Sequence, residues 1–186
     1  ILRSQYTNAR LRVWTLADFI ENPMDPLTPL HHVAELPKGE RVADAAASEY
    51  LRLEGAALAS GQLLGIAEST LELATDYAKK REQFGRPIGG FQAIKHMLAD
   101  MFVAQEVARS AVYAAGATLD DPEVGDISRA VSSAKLTAGE AALKNARGCI
   151  QIHGGMGFTW EVPAHYYLKR TWVLDSVFGS AEEHAE

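Results

Sequence analysis

Apolar positions recur at roughly helical spacing from about residue 45 almost to the C-terminus, and this pattern predicts four long helices. Leu51, Leu58, Leu63, Ile66, Leu71, Leu73 and Tyr77 mark the first, over about 45 to 80, with Asp44 as its N-cap. Gly85, followed by Arg86-Pro87, stops it. A second helix is expected over about 91 to 119, with Ile94, Met97, Leu98, Met101, Phe102 and Val112 turned inward, ending at Asp120-Asp121-Pro122. The third, about 127 to 152, is rich in alanine and glycine and runs into the glycines at 154 to 157. Its small side chains suit a crowded, intersubunit surface, and alanine's helix propensity explains them equally. Pro163 opens a fourth helix to about residue 178. The fold class is therefore mainly α, an up-down four-helix bundle.

Residues 1 to 43 read differently. Asn22-Pro23, Asp25-Pro26 and Thr28-Pro29 forbid long helices, and short apolar runs such as Leu11 to Leu16 favour extended pieces joined by turns. This predicts a short β or irregular segment at 1–43 and a helical domain at 44–186.

Composition narrows the function classes. With 186 residues, 47% hydrophobic and 23% charged, the chain can bury a substantial core. A formal net charge of -6 and the lack of a basic stripe argue against nucleic-acid binding. The single cysteine, Cys149, excludes an internal disulfide and reads as a small core residue, so a reducing cytoplasm is expected. No apolar stretch approaches bilayer length. Six histidines, His31-His32 included, show no zinc-like spacing, and no metal site is expected. A chain opening on Ile1 is expected to be part of a longer protein.

Two blocks carry the chemistry. Lys80-Arg81-Glu82-Gln83-Phe84-Gly85 and Gln151-Ile152-His153-Gly154-Gly155-Met156-Gly157-Phe158 each end a helix with an exposed cation or amide beside glycines, where a phosphate-bearing cofactor can approach the backbone. Taken singly, Arg81 is a solvated helix-end cation, Phe84 a core residue, Gln92 and Gln151 surface amides, the glycines a helix stop and Ser180 a turn residue. No strand precedes the glycines, so a Rossmann fingerprint is absent.

Jointly, these blocks resemble the acyl-CoA dehydrogenase family. Tyr77 through Ala93, followed by Ala99-Asp100-Met101, is similar to one family motif, and Gln151 through Phe158, followed by Pro163 and a tyrosine and basic cluster, to another. Residues 44 to 180 look like its C-terminal helical domain, and 1 to 43 like the tail of its middle β-domain. The resemblance implies flavin adenine dinucleotide (FAD) as cofactor, bound across a subunit interface in a dimer or tetramer. It would place Arg81 on the pyrophosphate and Phe84 against the cofactor, with Gln92, Gln151, Gly154, Gly155 and Ser180 also near the flavin. It further implies an acyl-CoA substrate, a trans-2-enoyl-CoA product and an electron-transferring flavoprotein as partner.

The resemblance also implies a carboxylate base, because the α-proton of a thioester is weakly acidic. That glutamate usually precedes a glycine and a small hydroxyl residue. Here the segment reads Val177-Phe178-Gly179-Ser180, and Phe178 cannot take a proton. A second family position, on the first helix, falls at Gly55, with Glu54 beside it but about 100° away around a helix. An arginine that accompanies this site in relatives is replaced by Ala56, with Arg52 nearby.

Three functions follow as expectations. The chain is an FAD-dependent acyl-CoA dehydrogenase whose base is Glu54 or lies outside this segment, or a noncatalytic partner subunit of a heteromeric one, or a helical interaction domain without cofactor.

Overall fold

A computed structural model describes residues 17–35, 39 and 42–186. The chain divides into two compact units, residues 1–51 and 52–186. In the first, strands β1 (Ala17–Phe19) and β2 (His31–Val33) pair antiparallel, with Ala17 opposite Val33 and Phe19 opposite His31. The proline-rich connection is organised by Asp25, whose buried carboxylate accepts from the Leu27 amide at 3.0 Å and the Thr28 hydroxyl at 2.6 Å. The run Leu11 to Leu16 lies outside the described residues.

The helical region contains α1 (Ala45–Lys80), α2 (Gln92–Asp120), α3 (Ile127–His153), α4 (Ala164–Ser176) and a short α5 (Ala181–Ala185). Strands β3 (Glu82–Gln83) and β4 (Arg86–Pro87) form a small hairpin between α1 and α2. Asp44 caps α1 by accepting from the Ala47 amide at 2.9 Å, and Asp126 caps α3 through the Arg129 amide at 2.7 Å.

Three stacked core layers fix the up-down topology. One joins Leu53 and Ala56 at the start of α1 to Ala115 late in α2 and to Val131 and Ala134 early in α3. The middle layer centres on Leu63, Ala108, Ala138 and Leu174. The last unites Ala78, Met101, Cys149 and Ala164, so the ends of α1 and α3 meet the starts of α2 and α4. Many of these contacts are alanines, which let the helix axes approach closely, and the buried Asn145 ties three helices by donating to the Ala67 and Met101 carbonyls at 3.0 and 3.1 Å.

The fourth helix is shorter than its pattern predicts. It stops at Ser176, because Phe178 and Gly179 adopt φ of 60° and 110°, which α-helix geometry excludes, and the chain then turns into α5.

Candidate functional site

At one end of the bundle the chain builds a protruding hairpin. The Arg81 amide donates to the Tyr77 carbonyl at 2.8 Å, and the Arg81 carbonyl accepts from Ile88 at 2.8 Å, closing the hairpin at its base. Phe84 and Gly85 at its tip have φ of 54° and 77°, the twist of a type I′ turn. Glycine takes such a conformation freely, whereas a phenylalanine is strained by it. The turn nonetheless presents the Phe84 ring with 92% exposure. Beneath it the Arg86 guanidinium lies 4.1 Å over the Phe91 ring, which Phe84 approaches edge-on at 6.0 Å. Gln92, exposed, begins α2 immediately afterwards.

The second block reaches the same end. Gln151 is exposed in the last turn of α3, Gly154 terminates that helix at φ 61°, and Gly155 faces open space. Gly157 is required sterically, since a Cβ there would lie 2.6 Å from the Ile150 carbonyl oxygen. Tyr77 stacks on His153 with ring centroids 4.1 Å apart, joining the two blocks. Sequence reasoning did not anticipate this pair, although both residues sit inside the quoted motifs. His153 Nδ1 donates to the Cys149 carbonyl at 2.8 Å, and burial pushes the Cys149 thiol up to about 12, so it stays protonated and inert.

The opposite end holds the positions where a base is expected. From Gly55 to Arg81 the helical path is about 39 Å at 1.5 Å per residue. Gly55 and Phe178 meet there directly: a Cβ built on Gly55 would collide with Phe178 Cε1. Glu54, half-buried, is the adjacent carboxylate on α1.

The turn carrying Phe178 is pinned on every side. The Phe178 carbonyl accepts from Arg52 Nη1 at 3.3 Å and from His184 Nε2 at 3.1 Å. A carbonyl only accepts, so Nε2 carries the proton and Nδ1 accepts from the Ser132 hydroxyl at 3.0 Å. Lys135, buried, donates to the Asp175 and Gly179 carbonyls at 2.7 and 3.1 Å. Burial lowers the pKa of Lys135, with the Asp175 charge opposing. Burial likewise lowers His184, with the bond to Phe178 opposing. Ser180 caps α5, accepting from the Glu183 amide at 3.3 Å while its own amide donates to the Glu183 carboxylate at 2.7 Å. Those bonds hold Glu183 below the usual carboxylate range. Lys135 and His184 had no recognisable sequence signal.

A family model described as "Acyl-CoA dehydrogenase, C-terminal domain" matches residues 45–186. The chain belongs to the acyl-CoA dehydrogenase family. A family of unknown function matches residues 1–66 as well. The chain is 40% identical over 143 residues to acyl-CoA dehydrogenase FadE34 of Mycobacterium tuberculosis, covering 77% of this chain and 19% of that protein. It is 37% identical over 164 residues to acyl-CoA dehydrogenase IpdE2 of the same organism, covering 88% and 48%. It thus spans less than half the length of either relative. Among solved structures, the ChsE4-ChsE5 complex from Mycobacterium tuberculosis matches with a TM-score of 0.77 at 25% identity, over 91% of this chain and 47% of that one.

As an acyl-CoA dehydrogenase helical domain, the chain gathers Arg81, Phe84, Gln92, Gln151, Gly154 and Gly155 at one end of the bundle. Gly55, Phe178 and Ser180 lie at the other, beside Glu54. Among the described residues no group of three or more histidine, cysteine or acidic side chains is placed to hold a metal ion. No helix there is long and apolar enough to cross a membrane.

Proposed function

We propose that this chain is the helical domain of an FAD-dependent acyl-CoA dehydrogenase, holding the flavin of a neighbouring homologous subunit with its Arg81 end. The observation that carries this reading is Phe84, a strained aromatic displayed with 92% exposure beside an exposed guanidinium. Its edge-on contact with Phe91 leaves it almost wholly exposed, so burial does not offset the strain, which points to an outside surface. The donor set fits FAD: Arg81 offers a planar charged fork to a pyrophosphate, Gln92 and Gln151 offer amides that donate and accept, and Gly155 leaves space for close approach. When bound, FAD supplies the hydride acceptor for oxidation of an acyl-CoA to a trans-2-enoyl-CoA. This chain's residues bind and orient it across the interface, in a dimer or tetramer that passes electrons to an electron-transferring flavoprotein in the cytoplasm. Residues 1–43 would be the tail of the β-domain and 44–186 the helical domain.

The test is flavin absorbance per chain in the purified full-length protein. Arg81→Lys is expected to retain part of the flavin, and Arg81→Ala to lose most of it. A colourless wild-type protein would support a helical interaction domain instead.

A second reading, the noncatalytic partner of a base-bearing subunit, is favoured by the Gly55–Phe178 contact, because neither position holds a carboxylate. The similar ChsE4-ChsE5 structure is itself a complex of two named components. Co-expression with a homologous subunit should give a flavin-loaded hetero-oligomer. An active homo-oligomer whose turnover disappears in Glu54→Gln would restore Glu54 as the base and remove this reading.

A further inference from the structure

Two locally unfavourable choices meet at one contact in this fold. Gly55 sits inside a 36-residue helix, where glycine costs about 1 kcal/mol relative to alanine. Phe178 holds a left-handed backbone conformation that most side chains avoid. Neither choice is explained by its own element, yet each fits the other: the ring lies where any side chain at 55 would stand. The turn bearing the ring is fixed by donors from three elements, Arg52 on α1, Lys135 on α3 and His184 on α5.

We infer that Phe178 is a steric gate, its ring closing this chain's own acyl site over Gly55 so that acyl-CoA is taken only by a homologous subunit. The inference rests on the noncatalytic-partner reading and deepens it: the site lacks a base and is also shut. Phe178 is 46% exposed while its ring atoms lie against Gly55, so it covers the glycine without being enclosed itself, as a wall against an incoming acyl chain would. Arg52, Lys135 and His184 are positioning residues, because they hold the backbone of the turn and not the ring.

Two measurements test the gate. The first is a double-mutant cycle in thermal unfolding of the full protein. Gly55→Ala should lower Tm by at least about 3 °C through overpacking, and Gly55→Ala in a Phe178→Ala background should cost nothing further. Equal losses in both backgrounds would overturn the contact as a lock. The second is calorimetric titration of the flavin-loaded complex with butanoyl-CoA. Wild type should show one class of sites, and Phe178→Ala a second class of similar number. Unchanged stoichiometry in a fully yellow Phe178→Ala complex would overturn the gate alone. A colourless wild-type complex would instead remove the flavin reading beneath it, which the unfolding cycle does not depend on.

Discussion

The Phe178 ring occupies the space that a side chain at Gly55 would need, its Cε1 lying nearest the position of a Gly55 Cβ. Introducing a carboxylate at the helix position therefore conflicts with the ring. Gly55→Glu is expected to lower stability by about 1–3 kcal/mol through overpacking, and adding Phe178→Ala should return most of it. Urea denaturation of the single and double variants measures this directly. Equal losses with and without the ring would show that the two positions are independent.

Lys135 holds the turn by giving its ammonium to two carbonyls. Lys135→Met keeps the buried stem but removes both donors, and an unsatisfied buried acceptor costs about 1–3 kcal/mol. The expected outcome is a loss of that order, with faster amide exchange over residues 177 to 185. An exchange pattern identical to wild type would refute this role.

Acid should loosen the same turn. Burial lowers the folded-state pKa of His184, so the unfolded chain binds the proton more readily. Its contribution is complete above the unfolded value near 6.5 and is lost as pH falls through that value toward the folded one. His184→Gln keeps an amide donor toward Phe178 and should flatten, but not abolish, the acid slope. Burial also lowers His165, with Lys169 adding to the shift, so part of the slope remains. Urea midpoints between pH 5 and 8 decide the matter, and an unaltered slope would count against His184.

The hairpin tip separates stability from cofactor retention. Phe84→Asn places a residue tolerant of left-handed φ in the turn and should stabilise the chain by about 0.5–1 kcal/mol while reducing bound flavin. Stability without flavin loss would leave the exposed ring unexplained.

The glycine turn offers a matched pair. Gly155→Ala meets open space and should leave unfolding within about 0.5 kcal/mol of wild type while lowering flavin content. Gly157→Ala drives a Cβ toward the Ile150 backbone and should destabilise the fold itself. Similar melting curves for both would contradict the steric difference between the two positions.

Much of this arrangement was legible along the chain. Apolar spacing, the Asp44 cap and the punctuation at Gly85, Asp121-Pro122 and Gly154 placed α1, α2 and α3 within a residue or so, because such signals act through neighbouring backbone. The Arg81 and Gln151 blocks were recognisable for the same reason, each being a continuous stretch at a helix end. The stop at Ser176 was not legible, since the pattern continues through Val177-Phe178 and the turn is held by donors brought from elsewhere, Arg52, His184 and Lys135, the last 44 positions from Gly179. Ser180 proved to be a helix cap through Glu183 three residues on, a local Ser-x-x-Glu pattern that the sequence itself carries.

Local periodicity and motif order were thus enough to specify a helical bundle and two motif blocks at helix ends, because each signal is carried by residues close in sequence. That the two positions lacking a base touch each other, and that Arg52 reaches Phe178 across 126 positions, emerged only when packing brought distant segments together. A steric fit between a missing side chain and a ring is a property of volume in space, and no one-dimensional pattern records it.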